Sequence, residues 1–177
     1  GSAGPPGGIA DSAILNVFAA ILPALYVERL ERAGMIVRRT GARENSPMPD
    51  RAHIHALMTE IGPALELAEV TEFDQDNLWV LVLHDDVVLF VDYVPEDRRL
   101  WLSAEVGVPS PADRFHLYEL MLQYNARWQE TGGVRLVLDG PEGGVVQAYD
   151  MPAVGLGLHH LQNVIRNFGD MLEGWRK

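Results

Sequence analysis

Apolar residues recur every three or four positions in four segments of this chain, a spacing typical of helices with one buried side. The segments are residues 11–33, 50–61, 111–131 and 158–175. Gly34, Gly62 and Gly132 each follow one of the first three, as expected where helices end. The pattern therefore predicts four helices. The last is the most regular, with a single stripe of Leu158, Leu161, Ile165, Phe168, Leu172 and Trp175.

Two groups of β-forming residues lie between the predicted helices. Residues 77–107 read as three strands joined by turns at 84–86 and 95–97, and residues 134–152 read as a hairpin around Asp139-Gly140-Pro141. The intervening stretch 64–76 is expected to be irregular. The predicted fold is α+β, with the order helix, three strands, helix, two strands, helix. It has a five-stranded antiparallel sheet, three helices and an extra N-terminal helical segment.

The strands are too apolar for a sheet with one face in water. Such a sheet alternates apolar and polar residues, yet 78–83 and 87–91 are unbroken apolar runs. The predicted helices are expected to cover one face. Large apolar patches usually mark interaction sites, so the second face is expected to be covered from outside the domain body. The candidates are a twin subunit, a client polypeptide, or residues 9–37 of the chain itself.

The helix predicted at 111–131 has apolar residues on more than one side. A helix lying on its own sheet needs one apolar stripe, and a second stripe needs a second partner. We expect a subunit interface here, although a helix enclosed within its own monomer would give the same pattern. One stripe is Leu117, Met121, Tyr124 and Trp128, and the other is Phe115, Tyr118 and Leu122, with Leu120 on a further side.

Composition narrows the function. The net charge of −11 argues against binding to a nucleic acid backbone. The chain has no cysteine, which excludes thiol catalysis and Cys-ligated metals, and its single lysine, Lys177, excludes a P-loop. We predict no cofactor. The apolar run 13–27 is too short to span a bilayer and contains Pro23, so no membrane insertion is expected.

The charge also divides the chain into two parts. Residues 1–50 contain five arginines and five acidic residues, so the whole net charge lies in the remainder. The polar stretch 38–49 separates the two parts. We predict an N-terminal extension at 1–49 and a folded domain at 50–177.

Residues 50–177 resemble the class I type III secretion chaperones, the Tir-chaperone-like (CesT-like) group. The resemblance rests on the element order and on three segments: LFVDYVPEDRRLWLSAEVG at 89–107, PADRFHLYELMLQYNARWQETGGVRLVLDGPEGGVVQAYDMP at 111–152, and LHHLQNVIRNFGDMLEGWRK at 158–177. The part from LYELMLQYN through TGGVRLVLD to a strand ending in Met-Pro is the most specific.

The resemblance implies a homodimer in the bacterial cytoplasm that binds the N-terminal region of a secreted effector and presents it to the secretion machinery, with the secretion-system ATPase as a further candidate partner. It places the middle helix at the dimer interface and the client surface on the first helix and the sheet. The interface residues would be Leu117, Leu120, Met121, Tyr124 and Trp128. The client-binding residues would be Met58, Ile61, Leu81, Leu89 and Leu102.

Residues 1–49 depart from the family pattern, because typical members begin near Asp50. Two interpretations stay open. The segment is either a native arm that covers the client groove or extends the dimer, or a client-like segment joined to the chaperone.

Two other functions remain as alternatives. One is a small α+β enzyme of hydrolase type that uses the turn carboxylates Asp85 and Asp86 with His84. It would need a concave polar site where these groups converge. The other is a regulatory module of the same fold that sequesters a protein partner.

Overall fold

The computed structural model describes residues 49–83, 87–140 and 143–176. The predicted N-terminal extension, except for Pro49, and the turn with His84, Asp85 and Asp86 lie outside the described residues. The helices are α1 Pro49–Leu65, α2 Arg114–Ala126 and α3 Leu158–Arg176. The strands are β1 Glu69–Phe73, β2 Leu78–Val82, β3 Val88–Val94, β4 Arg99–Gly107, β5 Arg135–Leu138 and β6 Val145–Pro152, with a 3₁₀ turn at Asp74–Asp76.

The six strands form one antiparallel sheet in the order β1-β2-β3-β4-β6-β5. The predicted α+β class and the three helices of the body are confirmed, but the prediction of five strands is wrong. The sixth is β1, in the stretch expected to be irregular.

The missed strand has a polar residue where the sheet meets the helices. Glu72 pairs with Trp79, whose side chain is in the core, so the Glu72 carboxylate faces α1. There it contacts His55, with Nδ1 and Oε2 2.9 Å apart, and it lies 3.9 Å from the Arg51 guanidinium. An edge strand held partly by polar contacts lacks the apolar alternation on which strand prediction depends.

Helices α1 and α3 pack on one face of the sheet, which we call the inner face. The predicted stripe of α1 is buried there, with Ile54 and Ile61 fully enclosed. Four residues of the predicted α3 stripe, Leu161, Ile165, Phe168 and Leu172, are buried against the same face. The two amphipathic helices therefore have their predicted faces in the core.

Helix α2 packs at the β5–β6 end of the sheet. Met121 is buried there in a second cluster with Leu136 and Val145. Leu136 pairs with Gln147, whose side-chain amide donates to the Phe168 carbonyl of α3 at 2.7 Å. The second cluster thus lies on the inner face as well, and all three described helices lie on that side of the sheet.

Candidate client-binding and dimer surfaces

The five residues predicted to bind client lie in the monomer core. Each is at most 1% exposed, and all belong to the cluster between the inner face, α1 and α3. Helices α1 and α3 cover this face of the sheet, so the five side chains are not on the surface of the described domain. Sequence alone did not separate these residues from surface residues, because both faces of the central strands are apolar. The five are Met58, Ile61, Leu81, Leu89 and Leu102.

The opposite side of the sheet, which we call the outer face, is also apolar. Leu78, Val80 and Phe90 alternate with the core residues of β2 and β3 and are 1, 6 and 5% exposed. Val146 and Ala148 extend this apolar surface onto β6 and are also buried. The unbroken apolar runs in the sequence therefore reflect a sheet with two apolar faces.

Three polar side chains interrupt the outer face. Asp92 and Trp101 are partners in the β3–β4 register, and Ser103 lies beside Phe90. Asp92 Oδ2, Trp101 Nε1 and Ser103 Oγ are buried and have no hydrogen-bond partner among the described residues. Because buried polar atoms are nearly always paired in folded proteins, these three atoms mark a place where a further group is expected.

Burial also changes the pKa of Asp92, the acidic residue among these three. Removal of the Asp92 carboxyl from water, together with the nearby negative charge of Asp76, raises its pKa from 3.8 to about 7. An ionised carboxylate is costly to bury without a partner. A donor brought by an occupant of the outer face would therefore stabilise the charged form.

Helix α2 presents apolar residues on the side away from the sheet. Phe115 is 84% exposed and Leu122, two turns later, is 72% exposed. Trp128, in the turn after the helix, is 58% exposed, and Leu120 is 39% exposed. We call these four residues the α2 surface.

The other side of α2 is used within the monomer. The Tyr124 and Trp175 rings meet edge to face, with centroids 5.0 Å apart, and the Tyr124 hydroxyl lies 3.8 Å from Met171 Sδ. Leu117, partly buried, packs against the same cluster as Met121. The predicted interface set is thus divided: Leu117, Met121 and Tyr124 face the sheet and α3, whereas Leu120 and Trp128 are exposed.

The two most exposed apolar residues of α2 were outside the predicted interface set. Phe115 and Leu122 belong to the second stripe in the sequence, whose third member, Tyr118, packs against the Met121 cluster. The sequence showed two stripes but did not show which members of each the monomer itself buries. The packing against β5, β6 and α3 decides this.

Within residues 49–83, 87–140 and 143–176, no group of three or more His, Asp or Glu side chains is arranged to hold a metal ion. An open pocket between α2 and α3 is lined by Tyr124, Glu130, Thr131, Met171, Gly174 and Trp175. In the same part of the chain, no helix has both the length and the apolar content to cross a membrane.

The model of the Tir chaperone protein (CesT) family matches residues 56–176, about two-thirds of the chain. The chain belongs to this family. Its members are chaperones, which favours binding over catalysis and speaks against the hydrolase alternative. The search of curated proteins found no match.

Solved structures share the fold at low sequence identity. The ExsC–ExsE complex contains a chain of which this protein covers 92%, with 71% of this chain aligned, a TM-score of 0.60 and 19% identity. For the HopA1–SchA chaperone–effector complex, the alignment covers 94% of the solved chain and 71% of this chain, with a TM-score of 0.59 and 17% identity. A third structure is the Yersinia pestis type III secretion chaperone SycH in complex with a fragment of YscM2. The alignment covers 97% of the solved chain and 68% of this chain, with a TM-score of 0.53 and 17% identity.

Proposed function

We propose that this protein is a non-catalytic type III secretion chaperone that acts as a homodimer in the bacterial cytoplasm. It binds the N-terminal region of a secreted effector and delivers it to the secretion machinery, with the secretion-system ATPase as a candidate receiver. The family match over residues 56–176 carries this proposal. Two of the similar structures are chaperones bound to an effector or a protein fragment, which supports it.

The energetics of client binding require extensive apolar contact. Ordering a disordered segment costs about 1–2 kcal/mol per residue in backbone entropy. Burial of apolar surface returns about 25 cal/mol per Å². A client must therefore cover a large apolar area or add a strand to a sheet edge. Strand β1, at one edge of the sheet, and the apolar outer face, on which no described helix lies, are the parts of the sheet that offer these two kinds of contact.

The α2 surface supports the homodimer. Phe115, Leu122 and Trp128 are large, apolar and exposed in the single chain. Phe115 and Trp128 are aromatic, and large aromatic side chains are enriched among the residues that hold protein interfaces together. A two-fold pairing of α2 with its copy would bury them and leave the outer face and the β1 edge, which lie away from α2, to the client.

The proposed function is tested with N-terminal fragments of the type III effectors encoded in the source genome. Each fragment is co-expressed with the full chain, and the molar mass and stoichiometry of the purified complex are measured by light scattering. We expect at least one fragment to co-purify with a chaperone dimer and to precipitate when expressed alone. If the chaperone dimerises but no fragment binds, the secretion role is overturned.

A control separates client binding from general stickiness. The same fragments are co-expressed with the full chain carrying Val80→Asp on the outer face, and separately with Val154→Asp. Val154 is also apolar but is exposed beyond β6. Binding should be lost in the first variant, provided that it keeps the wild-type circular dichroism spectrum, and retained in the second.

A further inference from the structure

The open pocket between α2 and α3, which we call the α2–α3 pocket, has two aromatic walls. The Tyr124 and Trp175 rings both line it, and their planes lie at 86° to each other. Met171, one turn before Trp175 on α3, lines the pocket beside them. The pocket has a volume of about 410 Å³, which is within the range of ligand-binding sites. Because the face of an aromatic ring is electron-rich, two rings at a right angle favour a cationic ligand.

The charge of the pocket also favours a cation. Of the six residues that line it, Glu130 alone has a charged side chain. In the part of the chain that the structure describes, this carboxylate has no hydrogen bond or ion pair. Burial raises the pKa of the Tyr124 hydroxyl above its ordinary value of 10.0, so the tyrosine stays neutral. An unpaired carboxylate therefore lies beside two aromatic rings, in a chain whose net charge of −11 disfavours anionic ligands.

A glycine of α3 leaves room in this pocket. Gly174 lies in the last turn of α3, where glycine is less favourable than alanine. A Cβ atom built at Gly174 meets no atom within 4 Å, so packing within the described domain does not require glycine there. Gly169 of the same helix is different, because its Cβ would lie 3.0 Å from Leu83 Cδ2. The absence of a side chain at position 174 is thus explained by the pocket and not by the fold.

The openness of the pocket indicates what kind of ligand it accepts. Sites for free small molecules usually bury most of the ligand's surface, which a pocket open on one side does not do. A side chain that projects from a polypeptide passing over the pocket needs no such enclosure. Arginine suits the lining best, because its planar guanidinium stacks on aromatic rings and donates paired hydrogen bonds to a carboxylate. Its apolar stem can pack against a side chain such as Met171.

We propose that the α2–α3 pocket binds an arginine side chain of a protein partner. The guanidinium stacks on the Trp175 ring, with the Tyr124 ring as the second wall, and donates hydrogen bonds to the Glu130 carboxylate. The pocket is formed by two helices that lie on the inner-face side of the sheet. A partner bound here is therefore separate from a client on the outer face, and the site does not rest on the proposed chaperone function.

The site is compatible with the proposed dimer. Phe115 and Tyr124 are nine residues apart in α2, which is two and a half helical turns. The two side chains therefore lie on opposite sides of the helix. A second copy that covers Phe115 and Leu122 would leave the Tyr124 side of α2 open to the partner.

A peptide titration of the full chain tests the site. The probe is a capped pentapeptide with one arginine between glycines, and its control has citrulline, which replaces the guanidinium with a neutral urea group of the same shape. Binding is followed by NMR through the indole N–H signal of Trp175, assigned by its loss in Trp175→Phe. We expect the arginine peptide to bind with a dissociation constant of about 1–10 mM and the citrulline peptide at least about tenfold more weakly. Equal binding of the two peptides, or no shift with either, would overturn the proposal.

A charge variant distinguishes this site from the general acidity of the chain. Glu130→Gln keeps the shape of the side chain and should weaken binding of the arginine peptide at least about fivefold, since the ion pair is lost. The matched control is Glu119→Gln, which removes the same charge from an exposed position of α2 and should leave the affinity unchanged. Equal weakening in both variants would assign the binding to net charge and would overturn the site.

A filled pocket provides the last comparison. Gly174→Leu places a side chain in the space that the ligand would occupy, so binding of the arginine peptide should be lost. Because the new Cβ meets no atom, the variant should be at least as stable in urea as the wild type. The matched control is His160→Leu, at an exposed position near the other end of α3, which should bind the peptide normally. Arginine binding that persists in Gly174→Leu would overturn the location of the site.

Discussion

The side chain of Asn125 pairs with the backbone of Leu136 as a neighbouring strand would. Its Nδ2 donates to the Leu136 carbonyl at 2.8 Å, and its Oδ1 accepts from the Leu136 N–H at 2.9 Å. Leu136 lies in β5, which forms one edge of the sheet. Helix α2 thereby satisfies two backbone groups at an edge that would otherwise be open to another strand.

Asn125→Asp should destabilise the domain by about 1–3 kcal/mol. The substitution preserves the shape of the side chain but replaces the donor with an acceptor that faces the Leu136 carbonyl. Urea unfolding measures the loss. Asn163→Asp, on the exposed side of α3, is the matched control and should change the free energy of unfolding by less than about 0.5 kcal/mol. Equal losses in the two variants would mean that the pairing contributes nothing specific.

The sequence predicted elements with regular patterns and missed those defined by tertiary contacts. The α3 stripe was correct because a single spacing of apolar residues determines which side is buried. β1 was missed because its residue Glu72 contacts Arg51 and His55 of α1, and contacts between residues this far apart in the chain leave no pattern in the local sequence. The client prediction selected core residues because both faces of the central strands are apolar, so no alternation in the sequence separates inner-face residues from outer-face residues.

The α2 surface should be required for dimerisation. Phe115→Asp with Leu122→Asp places two carboxylates in an apolar interface and should weaken the dimer roughly a thousandfold. Both side chains are exposed in the single chain, so the variant should keep its fold by circular dichroism. Sedimentation equilibrium of the full chain should give a monomer mass for this variant and a dimer mass for Val154→Asp. A dimer in both would place the subunit interface elsewhere.

Replacing the buried amide of Gln147 with a carboxyl group should lower the free energy of unfolding in a pH-dependent way. Its Nε2 donates to the Phe168 carbonyl of α3 at 2.7 Å, and the side chain is fully buried. Gln147→Glu removes this donor and places a carboxylate beside a carbonyl, so the loss in unfolding free energy at pH 8 should be about 2–4 kcal/mol. The loss should be smaller at pH 5, where a protonated acid can again donate to Phe168.

The matched control for this variant is Gln123→Glu, on the exposed side of α2. It introduces the same charge in water and should change the unfolding free energy by less than about 0.5 kcal/mol. Chemical unfolding at both pH values provides the comparison. A loss at position 147 that does not depend on pH would show that the charge itself is not responsible.

Asp92 should make the domain less stable as the pH rises. Burial and the charge of Asp76 raise its pKa from 3.8 to about 7. Between these two values the folded state holds a proton that the unfolded state has released, so the free energy of unfolding falls from pH 4 to pH 7. Asp92→Asn removes this titration and should be more stable than the wild type by about 2–4 kcal/mol at pH 8, with little difference near pH 4.

The full chain is unfolded in urea across this pH range. The matched control is Asp97→Asn, at an exposed carboxyl in the β3–β4 turn. A constant difference between Asp92→Asn and the wild type at every pH would contradict the assignment, because a packing effect of the amide does not titrate.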